Sequence, residues 1–155
     1  MILPKNFGEY LERNVIRKVS SDMPRARFLI SESEKSLRGL RRRLQVMGID
    51  EDNANSIVKD CYDIIMELIR AKLLIDGYKS AGQFAHEGEV AYLQKLGFDD
   101  AEISFINELR YFRNSAMYYG KILSVEYAKK VTEVISAVYP KLRNLITKDV
   151  QPGAS

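Results

Sequence analysis

Two arginines one helical turn apart, Arg110 and Arg113, stand in the stretch Leu109-Arg110-Tyr111-Phe112-Arg113-Asn114-Ser115-Ala116-Met117-Tyr118-Tyr119-Gly120-Lys121. A guanidinium can grip a phosphate through two parallel hydrogen bonds, which makes Arg113 the first candidate phosphate ligand. Arg110, Arg113, Asn114 and Met117 share one side of a helix, and Asn114 and Tyr118 stack at i, i+4. A tyrosine with an ordinary pKa of about 10 is a poor general base near neutral pH. Tyr118 can instead donate a hydrogen bond or stack on a base. On an ideal helix Arg113 and Tyr118 lie about 140° apart. They converge only where the helix end unwinds near Gly120 or where a second subunit completes the site. By spacing alone, the same residues also describe a surface arginine with tyrosines packed at a helix end.

Other residues offer less specific chemistry. His86 is the single histidine and sits at a helix start, in Ala85-His86-Glu87-Gly88-Glu89. It either serves the Arg113 site from across a cleft or is a solvated, capping side chain, and nothing in the sequence joins positions 86 and 113. Glu87 and Glu89 read as acids at that helix start. Arg38, Arg41, Arg42 and Arg43 form a strip that suits phosphates, or a solvated helix face without interleaved aromatics. Residues 25–43 hold seven basic side chains against two acidic, a net of +5 in a chain whose total is +3. Asp60, Asp63 and Glu67 recur at i, i+3 and i+7. They can hold Mg²⁺, orient Arg113 across the fold, or form the wet edge of a buried helix.

Several classes are excluded. One cysteine, Cys61, allows no intrachain disulfide and falls on an apolar stripe as a core thiol. One histidine and one cysteine leave no zinc site of those ligands, and no metal or cofactor is expected. No glycine pattern cradles a phosphate. No apolar run reaches the roughly 18 residues of a membrane span, and the first residues lack the charge and apolar stretch of a signal peptide. These features predict a soluble, cytoplasmic protein. A length of 155 residues with 46% hydrophobic and 29% charged residues suits one globular domain over 1–155.

The elements that position these residues are helical. A short first helix is expected over 6–19, with Phe7, Tyr10, Leu11 and Ile16 inward. Pro24 opens a helix over 24–47 whose stripe is Ile30, Leu37, Leu40, Leu44 and Met47, closed by Gly48. A third helix up to Gly77 buries Ile57, Val58, Cys61, Ile64, Ile65, Leu68, Ile69, Leu73 and Leu74. A connector over 78–86 leads to a short helix over 87–96. The helix after Asp99-Asp100 runs to Tyr119, with Ile103, Ile106, Leu109, Phe112 and Ala116 buried. Ser124 caps the last helix, whose inward positions are Ala128, Val131, Ile135, Val138, Leu142 and Leu145; Pro140 is expected to bend it. The core spans about 24–147, and 149–155 reads as a frayed tail. The fold class is all-α, an antiparallel four-helix bundle with one or two extra short helices.

With Arg113-Asn114 near the end of the third long helix and Tyr118 five positions later, the sequence resembles the HEPN domain family. Helix order, the long connector before the motif helix and the final amphipathic helix extend the resemblance over about 25–147. The family's signature is an Arg, often followed by Asn, then four to six residues and a His. The resemblance implies a HEPN-type bundle that dimerises through this region, which favours completion of the site by a second subunit. It implies metal-independent RNA cleavage in members with the histidine, with the Arg on phosphate charge. Here Tyr118 stands at the histidine position, which preserves binding more readily than cleavage. Two functions follow. One is a nucleic-acid or nucleotide-binding protein of toxin or defence type, and at most an altered endoribonuclease, with Arg113, Asn114 and Tyr118 at the site and Arg110, Arg38, Arg41 and Arg42 on the backbone. The other is a non-catalytic module that pairs with a partner such as a minimal nucleotidyltransferase.

Overall fold

The computed structural model describes residues 2–150. The elements are α1 (Phe7–Glu12), β1 (Ile16–Lys18), α2 (Met23–Met47), α3 (Ala54–Ile75), β2 (Tyr78–Ser80), α4 (Ala85–Ala91), a 3-10 turn (Tyr92–Gln94), α5 (Asp100–Tyr119) and α6 (Val125–Val150). Helix predominates. Among the described residues no helix is long and apolar enough to cross a membrane.

Local chemistry sets the helix ends. Asp22 accepts a hydrogen bond from the Arg25 amide at 3.1 Å, and Pro24 follows in the first turn of α2. Asp99 and Glu102 form a reciprocal capping box on α5, at 2.8 and 3.2 Å. Gly120 closes α5 in the left-handed conformation at φ 66°, where a side chain would be strained. The Ser124 hydroxyl accepts from the Tyr127 amide at 3.0 Å and caps α6.

α3 is the centre of the fold. It buries residues on nearly every side, from Ala54 and Ile57 to Leu74, and packs against α2, α5 and α6. α2 adds Ala26, Ile30, Leu37 and Leu40; α5 adds Ile103, Ile106 and Leu109; α6 adds Ala128, Val131, Ile135, Val138, Leu142 and Ile146. Ser33, fully buried, bonds both the Ile64 carbonyl and the Tyr139 hydroxyl at 3.1 Å and so pins α2, α3 and α6 together. Asn55, in the first turn of α3, donates to the Lys121 carbonyl at 3.0 Å. It also accepts from the Leu123 amide at 2.7 Å, so one amide side chain holds the α5–α6 connector.

The structure corrects several expectations. The helix expected over 6–19 stops at Glu12, because Asn14 turns the chain at φ 59°. Ile16–Lys18 then pairs antiparallel with Tyr78–Ser80, from the expected connector, with Ile16 opposite Ser80. Ile16 is buried against Gly88 of α4; a Cβ at Gly88 would lie 3.1 Å from its Cδ1. Met47 is exposed, since the last turn of α2 runs past the core. Ile146 takes the buried place expected of Leu145. α6 stays helical through Pro140, which is exposed together with Ser136, so the carbonyl that loses its partner lies on the wet side.

The expected frayed tail is helical at 149–150, and Asp149 bonds Lys72 at 2.7 Å; its remainder, 151–155, lies outside the described residues. Lys72 also bonds Asp76 at 3.0 Å, and Asp76 receives the Tyr92 hydroxyl. Replacing Ile16 by Ala should cost about 2–4 kcal/mol in urea unfolding if the strand pair is fastened through Gly88 of α4. A loss near zero would mean that the pair is not part of the core.

Candidate functional site

The site grows from a polar residue that α3 cannot leave unpartnered. Tyr62 is almost fully buried beside Cys61 and Ile65. Its hydroxyl meets Nδ1 of His86, at the start of α4, at 2.9 Å. The two rings are nearly parallel, 12° apart. The Arg113 guanidinium of α5 lies over the Tyr62 ring, 5.2 Å from its centroid, within cation–π range. One buried ring therefore touches both His86 and Arg113. The sequence offered no link between these two positions, and their junction is a residue on a third element.

Arg113 is mostly enclosed, its side chain 18% exposed. Its Nη2 approaches Asp63 at 3.4 Å and its Nη1 approaches Asn114 at 3.5 Å, both long contacts. Its Nε is buried with no partner among the described residues. The guanidinium is thus held by a ring face and leaves hydrogen-bonding capacity unused. Arg110, one turn earlier, bonds Asn107 through Nε at 3.2 Å and pairs with Glu87 at 3.7 Å.

α4 supplies three side chains to three different partners. His86 holds Tyr62, Glu87 faces Arg110, and the buried Glu89 receives Nε and Nη2 of Arg70 at 2.7 and 3.2 Å. His86 is exposed to solvent, whereas Glu89 is inaccessible. Burial pushes the Tyr62 hydroxyl up to about 12, with Glu89 adding to the rise and Arg113 opposing it. It stays protonated at neutral pH and can either donate to Nδ1 or accept from it. Burial also raises the Asp63 carboxyl, against the pull of Arg113.

Of the other candidates, Tyr118 is 71% exposed, and α5 remains helical to Tyr119. Unwinding near Gly120 therefore does not bring Tyr118 to Arg113. Asn114 touches Arg113 only through the long contact above. Arg38, Arg41 and Arg42 are exposed on α2, with no ion pair among the described residues. Arg43 bonds Asp60 at 2.6 Å. The acidic edge of α3 is thus met from α2 at Asp60 and from α5 at Asp63. Among the described residues no group of three His, Cys, Asp or Glu is arranged to hold a metal.

Tyr62, Arg70 and the pairing role of Glu89 were not singled out from sequence. A tyrosine inside the widest apolar helix needs a hydroxyl partner, and that requirement was the available signal. No protein-family model, curated protein or solved structure matches this chain.

Glu67 completes the acidic edge. Its carboxyl is raised by burial first, then by Asp63 and Glu32, and its Oε2 is buried with no partner among the described residues. A raised carboxyl favours the fold in acid and loses that contribution as pH rises through its folded value. Glu67→Gln should therefore raise the melting temperature at pH 7 by about 2 °C and leave it unchanged near pH 3.5. Equal shifts at both pH values would count against a titration origin.

Proposed function

We propose that this chain is a HEPN-like RNA-binding protein that holds a phosphodiester with Arg113 and cleaves it as a metal-independent endoribonuclease, His86 serving in place of the motif histidine. The observation that carries the reading is the shared contact of Arg113 and His86 with Tyr62. The four long helices α2, α3, α5 and α6 are compatible with a bundle of that family. A protein of this kind would act in the cytoplasm.

The chemistry follows from the nitrogen that Tyr62 leaves free. With Nδ1 bonded to the tyrosine hydroxyl, Nε2 is the position that exchanges a proton with substrate. Nε2 takes the proton of a ribose 2′-hydroxyl, and that oxygen attacks the adjacent phosphorus. The P–O5′ bond breaks, and the leaving oxygen receives the proton from the imidazolium. The products are a 2′,3′-cyclic phosphate and a 5′-hydroxyl. Nδ1 keeps its proton in both forms of His86 that this step uses, so the Tyr62 hydroxyl accepts from it throughout and holds the ring in the tautomer that leaves Nε2 free as the base. Arg113 balances charge on the non-bridging oxygens. Arg38, Arg41, Arg42 and Arg110 extend the contact along the backbone, which makes binding steeply dependent on salt.

A second reading is favoured by a different surface. Tyr111, Met117, Tyr118, Tyr119 and Ile122 are all exposed around the end of α5. Clusters of large exposed apolar side chains mark association surfaces. This end suits a second copy of the chain in a homodimer, or a partner such as a minimal nucleotidyltransferase, with Tyr118 at the contact. A purely non-catalytic module would use this surface and ignore RNA.

The discriminating experiment is incubation with a mixed single-stranded RNA pool in EDTA, beside the Arg113→Ala and His86→Ala variants. Cleavage that persists in EDTA should fall by about 100-fold or more in each variant. RNA binding should weaken in Arg113→Ala and survive in His86→Ala. Absence of both cleavage and salt-dependent binding in the parent protein would transfer the assignment to the partner module.

A further inference from the structure

His86 also lines a cavity of about 810 Å³, which the cleavage reading leaves unused. Its size is that of pockets for small organic ligands, roughly 300–1,000 Å³. It opens between the β1–β2 pair, α3, α4 and the start of α2. Leu73 and Leu74 of α3, both buried, and the half-buried Tyr78 of β2 give it an apolar side. Arg70 gives it a fixed donor. Glu89, itself inaccessible, takes Nε and Nη2 of that guanidinium and immobilises its plane. Nη1 makes no hydrogen bond among the described residues and remains for a ligand.

Two further cations, Arg25 and Lys79, line the same cavity. Both are exposed, and neither makes an ion pair among the described residues. Of the two carboxylates there, Glu89 is neutralised by Arg70 and Asp22 is engaged in capping α2. The lining therefore pairs a surplus of positive charge with an apolar face large enough for a planar ring. A ligand that answers both is a flat heterocycle joined to a phosphate.

We infer that this cavity is a nucleotide site, with the base against Leu73, Leu74 and Tyr78, its acceptor atoms toward Arg70, and the phosphate between Arg25 and Lys79. His86 lines the cavity and bonds Tyr62, which carries Arg113. A nucleotide seated here would share His86 with the cleavage site, and His86 is joined to Arg113 through Tyr62. That continuity, which rests on the RNA reading, makes the occupant one unit of the bound strand; the cavity itself equally suits a free nucleotide.

The test is an amide NMR titration of the full chain with the four ribonucleoside 5′-monophosphates, with adenosine and inorganic phosphate as separate arms. Fluorescence anisotropy on a single-stranded RNA 12-mer runs in parallel. The variants are Arg25→Glu and Lys79→Glu, both at exposed positions that leave the core untouched, with Arg113→Ala as the control for the RNA arm. Monophosphates should shift the amides of Lys79, Ser80 and Ala85, and each charge reversal should weaken them by about tenfold. RNA affinity should fall in the same two variants if the occupant is part of the strand. Monophosphate binding in a protein that ignores RNA would keep the site, assign it to free nucleotide and overturn the RNA reading alone. RNA binding that depends on Arg113 but not on Arg25 or Lys79, with unmoved cavity amides, would overturn the nucleotide site alone. Inorganic phosphate matching the monophosphates in affinity would also overturn it, since no base would then be recognised.

Discussion

A helix buried on nearly all sides has nowhere to hide its polar residues. α3 carries Tyr62, Arg70 and Lys72 among its apolar positions, and each is enclosed enough to need a partner that water cannot supply freely. The outer elements provide them: His86 and Glu89 from α4, Arg113 from α5, and Asp149 from α6. The candidate site is the part of this obligation that falls near the surface. Tyr62 lies inside, while the exposed His86 and partly exposed Arg113 take its polarity outward.

The short α4 has an influence out of proportion to its seven residues. A helix of that length is not stable by itself. It is held from below by Ile16 at Gly88 and from the side by the Arg70–Glu89 pair. Both attachments depend on the strand pair and α3, so the orientation of His86 is inherited from the core rather than from its own helix. The Arg70–Glu89 pair serves both neighbours. It anchors α4 and, by the same bonds, stiffens one wall of the cavity.

Much of the helical layout was legible because the long helices carry boundary residues in the sequence: Pro24 and Gly48 on α2, Gly77 after α3, Asp99-Asp100 and Gly120 on α5, and Ser124 before α6. Stripe positions such as Ile30, Ile106 and Ile135 followed from the period. The strand pair was not legible. Three residues are too few to express alternation, and Ile16 fits a helical stripe as well as a strand. Asn14 in the left-handed conformation, which separates α1 from β1, carries no periodic signal. At the site, Arg113 stood out through its neighbours in sequence. Its connection to His86 did not, because it runs through a tyrosine whose burial is a property of the assembled helices. Tyr118 drew notice by position in a motif, yet the 3.6-residue repeat of α5 turns it to solvent.

Asn55 has a consequence for whatever meets the exposed end of α5. Its amide behaves like a peptide group, donating to one backbone position of the connector and accepting from another. Aspartate would lose the donor, and alanine would lose both groups. The segment that leaves Tyr119 and Gly120 is thereby tied to the first turn of α3, the central buried helix. An association surface built there exists before any partner arrives. Little chain freedom remains to be lost on contact, so the affinity that Tyr118 and Tyr119 at the helix end and Ile122 on the connector can generate is not spent on ordering that connector.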